Sequence, residues 1–306
     1  MDFALQAVGD YDHVLEIARL CEMNGAVAIS LADHYLYGNR AERYVDPVYD
    51  SFVQAAALGR DTSTIEIVML VSPITFRHPA FYAKAAITID ELSGGRFVLG
   101  LGTGWHDDEH EYFGIPYPDR AERFGMLEDA LGYIRQFFDD PEKGFDSDRY
   151  RFTGLAYQPK ARQDLRILVG GGGPKRTPRL AGTFGGEFSV AGAEPDQIGE
   201  RVDRARAAAA TQGRNPDDLL ITISEPLVSG HTDDEISANL VRMEGDSGRS
   251  GPEIRQSWEK RGLVFRTWEE HKDRFGRYGD AGVARIYLQL LARSPEVSEE
   301  ALQILS

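Results

Sequence analysis

One cysteine, Cys21, is present in the 306-residue chain, which excludes an internal disulfide framework and thiolate-rich metal sites. Cys21 falls on the helical stripe Val14, Ile17, Ala18, Cys21, so it is expected to pack inward rather than act as a nucleophile. Basic residues are few beside acidic ones: 34 Lys and Arg stand against 49 Asp and Glu, a net charge of -15. Such a field repels phosphate backbones and anionic lipid, so no nucleic-acid or membrane partner is expected. No apolar run reaches spanning length, and the opening MDFALQAV lacks a basic region followed by a long apolar stretch. The expectation is a soluble, cytoplasmic protein. Also missing are GxxxxGK followed by Ser or Thr, a GxGxxG after the first strand, HExxH and GxSxG. A Walker NTPase, a dinucleotide-binding half, a zincin and an elbow-type serine hydrolase are thereby disfavoured, and the dense run from His106 to Glu111 reads as polar surface, with no metal expected.

What the chain has is alternation. Apolar segments predict strands at Phe3–Val8, Ala26–Leu31, Ile65–Val71, Arg96–Leu101, Leu165–Val169, Glu187–Ala191, Leu219–Ser224 and Val283–Leu290. Helical patterns at Asp12–Asn24, Pro47–Arg60, Pro79–Leu92, Arg120–Phe138, up to Phe184, Pro195–Gln212 and Trp268–Tyr278 separate them. Continuously apolar strands fit a parallel sheet covered by helices, and eight is the number that closes a (β/α)8 TIM barrel; an open doubly wound sheet is the alternative. The expected organisation is a single α/β barrel domain over 1–306 with insertions at 105–119, 139–162 and 232–262. The second insertion contains GFDSDRYRFTG and reads as a small hairpin, the third as a glycine-interrupted helical excursion that serves as a lid or a dimer surface.

In a barrel, ligands meet the carboxyl ends of the strands. Asp33 and His34 lie there, and histidine suits acid-base work or a hydrogen bond to a redox ring, with Asp33 fixing its tautomer or bonding the ring itself. Leu70, Val71, Ser72 and Pro73 form a stiff strand exit that can act as a ledge for a planar group. Arg77 and His78 read as solvated capping residues. In LSGGRFVLGLGTGWHDDEHEYFG, a glycine turn feeds a strand that opens into an irregular polar and aromatic loop. Gly100, Gly102 and Gly104 either make room for a flat group or relieve crowding inside the barrel. Gly170 to Gly173, followed by Pro174, Lys175, Arg176 and Thr177, is the best phosphate-site candidate, with amides and a helix amino end beside two cations.

Taken in order, SLADH at 30–34, the segment from Ser72 to Pro118, ERF at 122–124, ILVGGGGPKRT at 167–177 and DAGVARIYLQ at 280–289 resemble the bacterial luciferase-like superfamily of flavin and deazaflavin oxidoreductases. GTGWH with GGGGPKRT resembles the branch that uses coenzyme F-420, an 8-hydroxy-5-deazaflavin; FMN is the alternative cofactor. The resemblance implies a (β/α)8 barrel with insertions and a hydride-transfer oxidoreductase. Alternatives are an FMN-dependent monooxygenase served by a separate reductase, or a non-catalytic flavin-binding barrel. It places Asp33 and His34 at the ring, His34 being catalytic, and Leu70, Val71 and Ser72 beneath it. Gly102, Thr103 and Gly104 flank the ring, while Gly171, Gly172 and Gly173 with Lys175 or Arg176 hold the phosphate. Trp105, His106 and Tyr117 are expected to wall a pocket for a small, moderately hydrophobic substrate, and a homodimer is the expected assembly. Two departures stand out. Trp105 occupies the position of a catalytic glutamate in related glucose-6-phosphate dehydrogenases, which argues against sugar-phosphate oxidation. Gly186-Glu187-Phe188 replaces a common Asp-Gly-Trp, and the change is read as affecting the substrate side.

Overall fold

Strands β1 (Asp2–Ala7), β2 (Ala28–Leu31), β3 (Glu66–Met69), β4 (Phe97–Gly102), β5 (Arg166–Gly171), β6 (Glu187–Ala191), β7 (Leu220–Leu227) and β8 (Arg285–Leu290) follow the expected order. The computed structural model describes residues 1–36, 48–244, 249–260, 264–291 and 295–305. All eight strands pair in parallel, β1 with both β2 and β8, and the sheet closes where Ile67 and Val68 of β3 register with Phe97 and Val98 of β4. The closed barrel, and not the open sheet, is therefore the architecture. Strand alternation sorts the core into two layers. Leu5, Ile29, Ile67, Leu99, Ile167, Phe188, Ile223 and Ile286 join the large outer cluster against the helices. Ala4, Ala28, Val68, Val98, Leu168 and Tyr287 form the smaller cluster inside.

The amino-terminal mouth of the barrel is plugged by charge. Glu187, fully buried at the start of β6, accepts from Tyr287 Oη at 2.8 Å and Thr222 Oγ1 at 3.1 Å, and Arg166 reaches it at 3.3 Å. Arg166 and Arg285 also pair with Glu66, Arg285 at 2.6 Å. Burial pushes the Glu187 carboxyl above its ordinary value, with Arg166 and Arg285 pulling against it. Glu187 thus lies at the end of the barrel opposite the strand carboxyl ends, and the 186–188 departure belongs to this plug, not to the substrate side.

Helices α1 (Tyr11–Met23), α2 (Ser51–Asp61) and α3 (Pro79–Ser93) start where short polar caps precede them. Asp50 caps α2 through the amides of Phe52 and Val53, so this helix begins later than expected; Pro47 lies outside the described residues. Cys21 faces inward from α1, and burial pushes its thiol up to about 12. The segment after β4, expected to be irregular, contains helix α4 (Asp107–Phe113). Helix α5 (Arg120–Asp139) follows, and then the expected hairpin, in which Phe145–Asp146 pairs antiparallel with Arg151–Phe152. Helices α6 (Arg176–Phe184) and α7 (Ile198–Thr211) pack side by side. Helices α8 (Asp233–Glu244) and α9 (Gly251–Glu259) form the excursion before α10 (Trp268–Asp280). The terminal helix α11 (Pro295–Leu305), which the sequence pattern did not signal, packs on α1. Among the described residues no helix is long and apolar enough to cross a membrane.

Candidate functional site

At the carboxyl end of β3 the chain turns into the barrel, and Leu70 and Val71 join the inner cluster. The Leu70–Val71 peptide is cis, and Gln6 of β1 donates to the Leu70 carbonyl at 3.1 Å. A Cβ on Gly100 would lie 1.7 Å from the Met69 carbonyl oxygen, one on Gly102 2.7 Å from Val71 Cγ2, and one on Gly170 2.8 Å from Val71 Cγ1. The room these glycines leave is occupied by the protein's own β3 exit, so crowding relief is their first role and the Val71 ledge is the result. Beside it, Ser72 Oγ is fully buried with no partner among the described residues. Pro73 is fixed through its carbonyl by the buried Tyr82 hydroxyl at 2.6 Å.

His34 follows β2, and its Nδ1 lies 3.1 Å from each oxygen of Glu109 on α4. The amides of Tyr35 and Leu36 donate to the same carboxylate at 2.6 and 3.0 Å. Burial works to raise the Glu109 carboxyl, but the His34 bond and charge and the two amides outweigh it and hold it below its ordinary value. Trp105 and His106 stand edge-on to His34, with centroids 5.7 and 6.0 Å away.

Asp33 has a different place from the one expected. Buried to 1% exposure, it accepts from Ser51 Oγ at 2.7 Å and from both terminal nitrogens of Arg77. Its oxygens are spent on α2 and the loop before α3, and the carboxylate on His34 is Glu109. Arg77 is likewise no solvated cap: it bridges Asp33 and Asp50 and lies over the rings of Phe52, Phe81 and Tyr35. His78 does cap α3, accepting from the Ala80 amide.

His110 is buried rather than a polar surface residue. Its Nδ1 must donate to the His106 carbonyl at 2.8 Å, so Nε2 accepts from Thr75 Oγ1 at 2.7 Å. Tyr117 packs on His110 at 4.3 Å and under Arg123 at 3.9 Å. Of the expected pocket residues, Trp105 and His106 therefore meet His34 directly, while Tyr117 packs on His110.

Across the mouth, the glycine turn after β5 leads into α6. Gly171 has φ +146, and a Cβ on Gly172 would meet the Ala191 carbonyl at 2.9 Å. Arg201 binds the Gly172 carbonyl at 3.1 Å and Arg204 binds that of Pro174, while the amides of Gly172 and Gly173 have no acceptor among the described residues. Arg120 lies 3.6 Å from the position of a Cβ on Gly173, and both Arg120 and Arg176 stack on Phe124. Lys175 is exposed at the start of α6. Amides, a helix amino end and two cations on one ring fit a phosphate. Arg120 was not singled out from the sequence, and Phe124 entered only as the last residue of the ERF motif at 122–124, with no role assigned. Among the described residues, His231, Glu235 and Glu300 bring potential metal-ligand atoms within 4.8 Å of one another, with His231 and Glu235 exposed.

The model of the luciferase-like monooxygenase family matches residues 3–298. The chain is similar to an F420-dependent glucose-6-phosphate dehydrogenase of Gordonia bronchialis, 26% identical over 76% of this chain and 69% of that one. It is similar also to an FMNH(2)-dependent dimethylsulfone monooxygenase of Pseudomonas putida, 25% identical over 76% of this chain and 62% of that one. Among solved structures, an F420-dependent secondary alcohol dehydrogenase in complex with an F420-acetone adduct superposes with a TM-score of 0.80 at 17% identity, covering 99% of this chain and 98% of that one.

Proposed function

Because the chain belongs to the luciferase-like monooxygenase family, we propose that it is an oxidoreductase that moves a hydride between coenzyme F-420 and a small, moderately hydrophobic organic substrate. The observation that carries this reading is the pairing, at one end of the barrel, of a proton-handling histidine beside an apolar ledge with a cationic glycine turn across the mouth. A planar ring with a phosphorylated tail needs both parts. Ser72 Oγ and the Gly172 and Gly173 amides are the groups left for it to satisfy.

When bound, the deazaflavin supplies a ring carbon that accepts or gives hydride. Val71, with Leu70, would support the ring, Gly102, Thr103 and Gly104 would border it, and Ser72 would bond its edge. The turn from Gly171 to Gly173, with Arg176, Lys175 and Arg120, would hold the tail. His34 takes or returns the proton that accompanies the hydride, and Trp105 and His106 wall the substrate side. The Arg120, Arg176 and Lys175 cluster in a chain of net charge -15 favours an extended anionic tail. FMN is the second reading, favoured by the similarity to the dimethylsulfone monooxygenase.

Titrating purified protein with F-420 and FMN tests the proposal. Tighter binding of F-420, with bleaching of its visible band on substrate turnover, is the expected result; preference for FMN with oxygen consumption would overturn it.

A further inference from the structure

The carboxylate on His34 comes from 75 residues away, while the adjacent acid, Asp33, is engaged elsewhere by Arg77 and Ser51. We propose that Glu109 is the positioning residue of this site: it fixes His34 as the Nδ1–H tautomer and so makes Nε2 the nitrogen that exchanges a proton with substrate. The inference rests on the oxidoreductase reading above and adds the group that sets the histidine's proton geometry.

An ionised carboxylate only accepts, so an imidazole nitrogen 3.1 Å from both of its oxygens must carry hydrogen. In the neutral ring the lone pair then sits on Nε2. Glu109 cannot swing away cheaply, because the Tyr35 and Leu36 amides hold it too and it is 1% exposed. The same three donors keep it anionic despite burial.

The burial pattern of α4 points the same way. This helix buries Glu109 and His110 and leaves Tyr112 at 73% and Phe113 at 50% exposure, the reverse of what transfer energies favour. Packing does not account for a helix presenting its acid inward; polar partners in the segment after β2 do. During turnover the proton passes between Nε2 and a heteroatom of the substrate, the Nδ1–H stays in place, and Glu109 remains ionised opposite the imidazolium.

Both amides donate to Oε1, so Glu109→Gln keeps the shape and those two bonds with its oxygen there, and sets its N–H₂ at the Oε2 position, 3.1 Å from Nδ1, a donor facing a donor. Long-range ¹H–¹⁵N spectra of the whole protein, with His34 assigned through H34N, read the tautomer without any cofactor. Wild type should show protonated Nδ1 and pyridine-like Nε2 at high pH, and E109Q should shift toward the Nε2–H form. In the F-420 assay E109Q should lower kcat roughly 10²-fold with KM and cofactor Kd changed less than about threefold. The double variant H34N/E109Q should be no slower than H34N. An Nε2–H wild type, an E109Q protein with unchanged tautomer and rate, or a further large loss in the double variant would each overturn the proposal. Absence of turnover with either cofactor would instead count against the proposed function, and the spectra would still decide the role of Glu109.

Discussion

The two ends of this barrel bury polar groups on opposite terms. At the amino-terminal end, Glu66, Arg166, Glu187, Thr222, Arg285 and Tyr287 answer one another in one network, with Arg285 Nε left over among the described residues. At the carboxyl-terminal end, the buried Ser72 Oγ and the amides of exposed Gly172 and of Gly173 find nothing within the described protein to bond, and His34 stands beside exposed Trp105. The first end is built mainly of partnered charges, and the second is the end at which a bound group is proposed. In a barrel of this kind that division separates stability from chemistry.

The largest effect that tests the division should come from Glu187→Ala. Arg166, Thr222 and Tyr287 would lose a fully buried partner, at a cost of about 3–5 kcal/mol in denaturant unfolding, while kcat/KM per folded molecule stays near wild type. A strong loss of specific activity in the folded fraction would break the comparison. His34→Asn should do the reverse, lowering turnover roughly 10²-fold and changing the unfolding free energy by less than about 1 kcal/mol.

A third outcome concerns acid. The Glu109 pKa is depressed in the folded state, so its contribution is present above the ordinary carboxyl value and is lost as pH falls through the depressed one. The stability gap between wild type and E109Q, followed by thermal unfolding from about pH 6 to about pH 3, should narrow toward acid. A gap that widens would contradict the assignment. The smallest effect is expected from Arg176→Ala, about tenfold weaker binding of intact cofactor with little change for a tail-truncated analogue. Equal losses for both ligands would move the phosphate site elsewhere. Valine at Gly172 is a poor probe here, since its Cβ would strike the Ala191 backbone whether or not a ligand binds.

Much of the fold was legible because parallel strands buried on both sides read as apolar runs whatever surrounds them. Strand β6 matched its expected bounds, Glu187 to Ala191, and β5 ran into the glycine turn as its sequence implied. The candidate site was legible only where motif residues adjoin strand ends, as at His34, Val71 and Gly171, which the structure brings to one end of the barrel. Glu109 was not, since its partner is distant in sequence and its helix violates the apolar-inward pattern from which helix faces are read. Asp33 misled for the converse reason: adjacency to His34 hid the competition from Arg77, a bidentate partner supplied by another loop. Helix α11 escaped because its short apolar stripe, Val297, Ala301 and Leu302, gains a face only once α1 is in place.

The glycines around Val71 have a consequence for how such a sequence can diverge. Gly100 abuts a main-chain oxygen, which no change of side chain can move. At Gly102 and Gly170 the nearest obstacle is the valine itself. These two positions and residue 71 therefore share one volume, and a methyl group gained on β4 or β5 has to be matched by one surrendered at the β3 exit. Drift there should proceed by correlated exchange, with the shape of the ledge outlasting the identity of the residue that makes it.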